Sequence, residues 1–166
     1  MPRLFSRRRM LAAGGAGALA VPLAAARPAA ATAGTSGMLK PLSRPVRVFD
    51  SRRPDSVLGG SKLRGGDVVA VTVSGAYDAD EFATAVFANI TITQTEGGGH
   101  LSVTAEDLSG EAPPPETSNI NWSTSGVTLA NLVLAPVGGE HAIEIHCTGG
   151  ATHVIVDIQG YVPFPA

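Results

Sequence analysis

Residues 84 to 95 read TAVFANITITQT. Val86, Ala88, Ile90 and Ile92 fall on one parity, and Phe87, Asn89, Thr91 and Thr93 on the other. Successive side chains of an extended chain point to opposite faces, so this stretch reads as a strand with one apolar face and one mixed face. Helical spacing would spread the same apolar residues around a cylinder. The β-branched residues, stiff at χ1, favour the extended choice as well.

Working outward, the pattern repeats. Val46–Asp50, Val68–Ser74, His100–Ala105, Thr117–Ser123, Val127–Ala135, His141–Cys147 and Thr152–Val162 are all rich in Val, Ile or Thr, as strands are. Turn signals separate them: EGGG at 96–99, TSG at 124–126, VGGE at 137–140 and TGGA at 148–151. No ten-residue window combines helical apolar spacing with freedom from Gly, Pro and β-branched runs. About eight short strands without helices define an all-β chain. The expected fold is a single antiparallel β-sandwich, Ig-like or jelly-roll-like.

The amino-terminal part has a different character. Arg3, Arg7, Arg8 and Arg9 precede a small-residue apolar run from Met10 to Ala26, and Ala31-Thr32-Ala33 supplies an A-x-A site. That is the layout of a cleavable export signal, and SRRRML resembles the twin-arginine type. The run is Ala/Gly-rich and broken by Pro22, which makes it a poor membrane span. The expected organisation is therefore an export signal over 1–33, a flexible arm or linker over 34–45, and the sandwich over 46–166. The destination is secreted or extracellular, with cell-wall association as a variant, and no membrane-spanning segment is expected.

Removing the five arginines before Gly34 leaves seven basic against fourteen acidic residues, a net charge of −7. All seven remaining cations lie before Gly65. An acidic body repels phosphate backbones, which argues against a nucleic-acid partner. Cys147 is the only cysteine, so no internal disulfide can form; it reads as a small buried hydrophobe.

The strings RVFDSR, VVAVTVSG, ATAVFANITIT, HLSVTA, TSNINWSTSGVTLANLVLAPVG and HVIVDIQGYV occur in that order. Together they resemble a small β-module of exported actinobacterial proteins, often appended to or repeated beside cell-wall and polysaccharide-active enzymes. The resemblance covers residues 46 to 162 and implies an accessory, non-catalytic role without a cofactor.

Several residues stand out as candidates. Asp50 and Asp157 interrupt apolar strands, where a carboxylate is tolerable only if solvated or paired. Arg47, Arg52 and Arg53 offer forked partners, so an ion pair from this segment to Asp50 or Asp157 is expected. A two-residue turn at Gly149-Gly150 would pair 141–147 with 152–162 as a hairpin. That register sets His146 opposite His153, with Glu144 beside them, a weak candidate for metal coordination. The three carboxylates of DADE at 78–81 suggest calcium more faintly.

Trp122 with Asn119 and Asn121 could form a sugar-binding platform, with Tyr77 and Tyr161 the other aromatic candidates. Arg52 and Arg53 could instead dock a protein. No G-x-S-x-G elbow or other nucleophile signature is visible. The function expected is an exported, non-catalytic binding or assembly module recognising a secreted or cell-surface protein. A carbohydrate or cell-wall-glycan module using Trp122 and the asparagines is the alternative, and a metal-dependent hydrolase comes third. Self-association is open to such a chain.

Overall fold

A computed structural model describes residues 38–77, 82–109 and 115–164 of the chain. Eight strands form: β1 (Lys40–Asp50), β2 (Val68–Thr72), β3 (Ala83–Thr93), β4 (Gly99–Ala105), β5 (Ile120–Trp122), β6 (Leu129–Pro136), β7 (Ala142–Gly149) and β8 (His153–Pro163). They make two antiparallel sheets of four, ordered β1-β8-β3-β6 and β2-β7-β4-β5. The chain is all-β and sandwich-like, and the described residues contain no α-helix, only a 3₁₀ turn at Ser74–Ala76.

The pairings share one rule. β1 pairs with β8, β2 with β7, β3 with β6, and β4 with β5. A long antiparallel ribbon folded at β4–β5 and then rolled up gives this set, which is the jelly-roll form of the expected sandwich. Consecutive strands then lie in opposite sheets, apart from β4 and β5.

The alternation over residues 84–95 sets the core. Val86, Ala88, Ile90 and Ile92 of β3 are fully buried, as are Val154, Val156 and Ile158 of β8. Facing them from the second sheet are Val69, Val71, Leu101, Ile143, Ile145 and Cys147. Burying an aliphatic side chain of this size stabilises by roughly 1.5–3 kcal/mol, so this interface carries the stability of a chain without disulfides.

Two expectations are corrected. β1 begins at Lys40 rather than Val46, so part of the expected arm is strand: Lys40 sits opposite Tyr161 and Pro41 opposite Gly160. Pro41 and Pro45 are tolerated because β1 is an edge strand, where a missing donor can face solvent. The second correction concerns 141–162. β7 and β8 do not form a hairpin but belong to different sheets. Gly149, at φ +86°, and Gly150 carry the chain across the sandwich instead. A Cβ on Gly150 would collide with the Glu96 carbonyl, and one on Gly149 with that of Gly98. These glycines permit two chain segments to touch, a reason unrelated to hairpin formation.

Candidate functional site

The register of β1 on β8 places Arg47 opposite Asp157. Arg47 donates from Nε to one carboxylate oxygen of Asp157 at 2.8 Å and from Nη2 to the other at 3.1 Å. Arg52 forks onto Asp50 from Nε at 2.8 Å and Nη2 at 2.6 Å, and its own N–H donates to the same carboxylate at 3.1 Å. Asp50 is buried, and the Arg52 fork holds its pKa down to about 2 against the desolvation that opposes it. Arg53 is turned outward onto Asp55 at 2.8 Å. Arg47, Asp50, Arg52 and Asp157 are thus brought together, with their charges spent on one another.

Ser51, between them, is fully buried. Its Oγ accepts from the Val154 N–H at 2.9 Å and lies 3.0 Å from His153 Nδ1. Ser51 Oγ and His153 Nδ1 share this hydrogen bond, the imidazole tautomer deciding which of them donates. Burial first, then the nearby Lys62 and Arg52 charges, lower the His153 pKa. A serine and a histidine in contact are the start of a nucleophile–base pair. Here the hydroxyl is sealed from solvent and committed to the β8 backbone, so the contact ties the 51–62 loop to the sheet. A small recess of 180 Å³ beside this cluster is lined by Arg47, Asp50, Arg53 and Asp55, all of which are already paired.

The expected histidine pair is not formed. His146, in β7, lies between Val68 and Ser102, its Nε2 at 3.0 Å from Thr104 Oγ1 and 3.3 Å from Glu144. His153 belongs to the other sheet, opposite Thr93. The sheet crossing at Gly149-Gly150 separates them. Among the described residues no three His, Cys, Asp or Glu side chains gather as metal ligands. The DADE cluster, the export signal and residues 34–37 of the arm lie outside the described residues.

The expected aromatic platform is also corrected. Trp122 is only 6% exposed, and its indole lies over Gly99. Tyr77 and Tyr161 are buried too, stacked with ring centroids 4.8 Å apart. Asn119 Oδ1 accepts from the Val103 N–H at 2.7 Å, and Asn131 donates to the Asn119 carbonyl at 2.6 Å. Asn121 is exposed and donates to Ser118 at 3.0 Å. Asn119 and Asn131 thus satisfy main-chain groups beside β4 and β5 beyond the three-residue β4–β5 ladder.

A different surface has the character of a binding site. Phe82, immediately before β3, is 59% exposed, and Phe164, immediately after β8, is 64% exposed. They are held together because the Phe164 N–H donates to the Phe82 carbonyl at 2.7 Å. The β6–β7 turn completes a cleft of 550 Å³ with Val137, Gly138 and His141. The His141 ring lies 4.9 Å from that of Phe82. His141 has φ +57°, a left-handed conformation that few non-glycine residues adopt. Its carbonyl accepts from Val73 at 2.8 Å and its N–H donates to Gly138 at 3.1 Å, so two bonds hold the strained residue in place. Among the described residues no Asp, Glu, Lys or Arg lines the cleft. Sequence reading missed it because its three rings come from distant chain positions. The available signal was a phenylalanine just before β3 and another just after β8.

The fold and these surfaces define a braced β-sandwich with one aromatic cleft at its end. Comparison with family models, curated proteins and solved structures finds no match for this chain. Among the described residues no helix is long and apolar enough to cross a membrane.

Proposed function

We propose that the chain is an exported, non-catalytic recognition module that binds a protein at the cell surface or in the medium through the Phe82–His141–Phe164 cleft. The observation that carries this reading is two phenylalanines, each more than half exposed, flanking a 550 Å³ cleft whose described lining residues carry no charge. Exposed aromatic surface costs solubility unless it is used, and a cleft of this size suits a few apolar side chains of a partner. Aromatic residues of this kind dominate binding energy at protein interfaces.

Thr84, the one hydroxyl among the described lining residues, donates to the Val162 carbonyl at 3.2 Å. That leaves the His141 imidazole and main-chain groups, too few polar contacts for a hydroxyl-rich sugar. The arginines are less suited to docking, since Arg47 and Arg52 brace the fold and Arg53 is engaged with Asp55. The export-type amino terminus and acidic body fit a site of action outside the cell.

Affinity capture from culture supernatant and cell-surface extract tests the reading. The wild-type protein should retain one protein in stoichiometric amount, and a Phe82→Ser/Phe164→Ser variant should lose it. Equal capture by both, or retention on insoluble glycan with no protein captured, would sink the proposal.

A further inference from the structure

Four strands lie at sheet edges, and three of them carry protection against pairing with another chain. β1 has Lys40, Pro41, Arg44, Pro45 and Arg47 along its length and two register shifts. β2 has five residues and β5 has three. Charges, prolines, bulges and shortness are the devices that keep sheet edges from joining. β6 has none of them before its last residue, Pro136. It is eight residues long, pairs with β3 without a register shift, and residues 127–137, VTLANLVLAPV, contain no charge.

The free side of β6 can be assigned residue by residue. The Val137 N–H donates to the Thr84 carbonyl at 2.9 Å. Antiparallel ladders alternate, so odd-numbered residues of β6 turn their N–H and C=O toward β3, and even-numbered ones turn theirs away. Ala130, Leu132 and Leu134 therefore present main-chain donors and acceptors at the sheet edge, with no main-chain partner among the described residues. Their side chains share the outer face, where Leu132 is 53% and Leu134 57% exposed.

We infer that β6 is the self-association edge of this protein. Two copies pair antiparallel about a two-fold axis at Leu132, extending one sheet through both molecules. In that register Leu132 meets its own copy, and Leu134 meets Ala130 of the second copy, large against small. All three edge-facing residues then exchange bonds in hydrogen-bonded pairs, about six in total. β6 brings no charge of its own to a contact between two acidic bodies, and a self-complementary strand is what a two-fold interface requires. Eight residues at ~3.3 Å each give a seam about 26 Å long. With a sandwich-edge width of roughly 20 Å this buries on the order of 1,000 Å² in total, the low end for a specific interface, so the dimer is reversible. The inference is independent of the aromatic cleft, which lies at the end of the sandwich.

Analytical ultracentrifugation of the purified protein, from micromolar to millimolar concentration, tests this. The wild type should show a monomer–dimer equilibrium. Leu132→Lys places like charges on the axis and should weaken association about tenfold or more, with an unchanged melting temperature because Leu132 is exposed. Leu132→Cys should give a covalent dimer under mild oxidation, while Val57→Cys, on an exposed loop, should not. The buried Cys147 does not compete. A wild type that stays monomeric throughout would overturn the inference, as would a dimer indifferent to Leu132→Lys. So would a monomer that takes up a foreign extended peptide along β6, which would assign the edge to a different occupant.

Discussion

Arg47 on β1 and Asp157 on β8 face each other across a ladder 110 residues apart in sequence, joined by two hydrogen bonds of 2.8 and 3.1 Å. The pair locks an edge strand to the strand at the heart of its sheet. Every polar residue of RVFDSRR is engaged in this way: Arg47 on Asp157, Asp50 with Arg52, Ser51 on the β8 backbone, and Arg53 on Asp55. Phe49, between them, enters the core. The segment is a clasp between the first and last strands of the rolled ribbon.

The worth of the clasp follows from its exposure. The Arg47 side chain is about half exposed, so solvent screens the pair, yet the bidentate geometry is favourable. A double-mutant cycle of Arg47→Ala and Asp157→Asn should give a coupling of about 1 kcal/mol in denaturant titrations. A coupling indistinguishable from zero would mean that the ladder alone holds β1.

Acid should loosen the same region. The Asp50 pKa is lowered from 3.8 to about 2 on folding, chiefly by the Arg52 fork. A depressed carboxylate adds stability that is complete above the unfolded value and lost as pH falls through the folded one. The shift corresponds to about 2 kcal/mol, present at pH 5 and largely gone near pH 2. His153 acts in the same direction at higher pH. Its folded pKa lies below 6.5, so its neutral-state contribution is full above that value and declines on acidification. Asp50→Asn should therefore destabilise the protein at pH 7 and flatten its stability profile below pH 4. An unchanged profile would show that Asp50 is not the titrating brace.

Trp122 and Phe82 should separate core from surface. Trp122→Ala removes a buried indole and should cost roughly 3–5 kcal/mol. Phe82→Ala, at an exposed position, should cost less than about 1 kcal/mol. Calorimetric melting of the two variants checks this. Similar melting temperatures would mean that Trp122 is not a core residue.

Cys147 should be inert until the fold opens. Burial pushes its thiol up to about 11, and the Asp67 charge adds to the effect. Thiolate is the reactive form, so Ellman's reagent should leave the native protein unmodified near pH 8 and label one thiol per chain in denaturant. Prompt labelling of the native protein would show that the second sheet opens.

Strand existence was legible because parity is a local property. Ile90 and Ile92 alternate with Asn89 and Thr91, and the chain has no helical competitor. Sheet membership was not legible, for a physical reason. Ile143, Ile145 and Cys147 point to the same core as Val154, Val156 and Ile158 whether β7 and β8 pair side by side or face each other across the sandwich. Alternation is blind to that choice, and the close approach of Gly149 and Gly150 to the 96–99 turn is a contact between distant segments. The Arg–Asp clasp could be anticipated because a carboxylate in an apolar strand demands a partner. Trp122 shares its parity with Ile120 and alternates with Asn121, so its burial was readable too; the attraction of an aromatic beside amides obscured it. The cleft could not be read from any single segment, since Phe82, His141 and Phe164 meet only after the ribbon is rolled.

Recognition through that cleft is most directly examined by site-specific photo-crosslinking in the producing cells. A benzophenone side chain at position 82 should yield one discrete protein adduct, and the same group at position 53, beside the arginine clasp, should yield none. An adduct from position 53 with none from position 82 would place the contact elsewhere and remove the aromatic cleft from the mechanism.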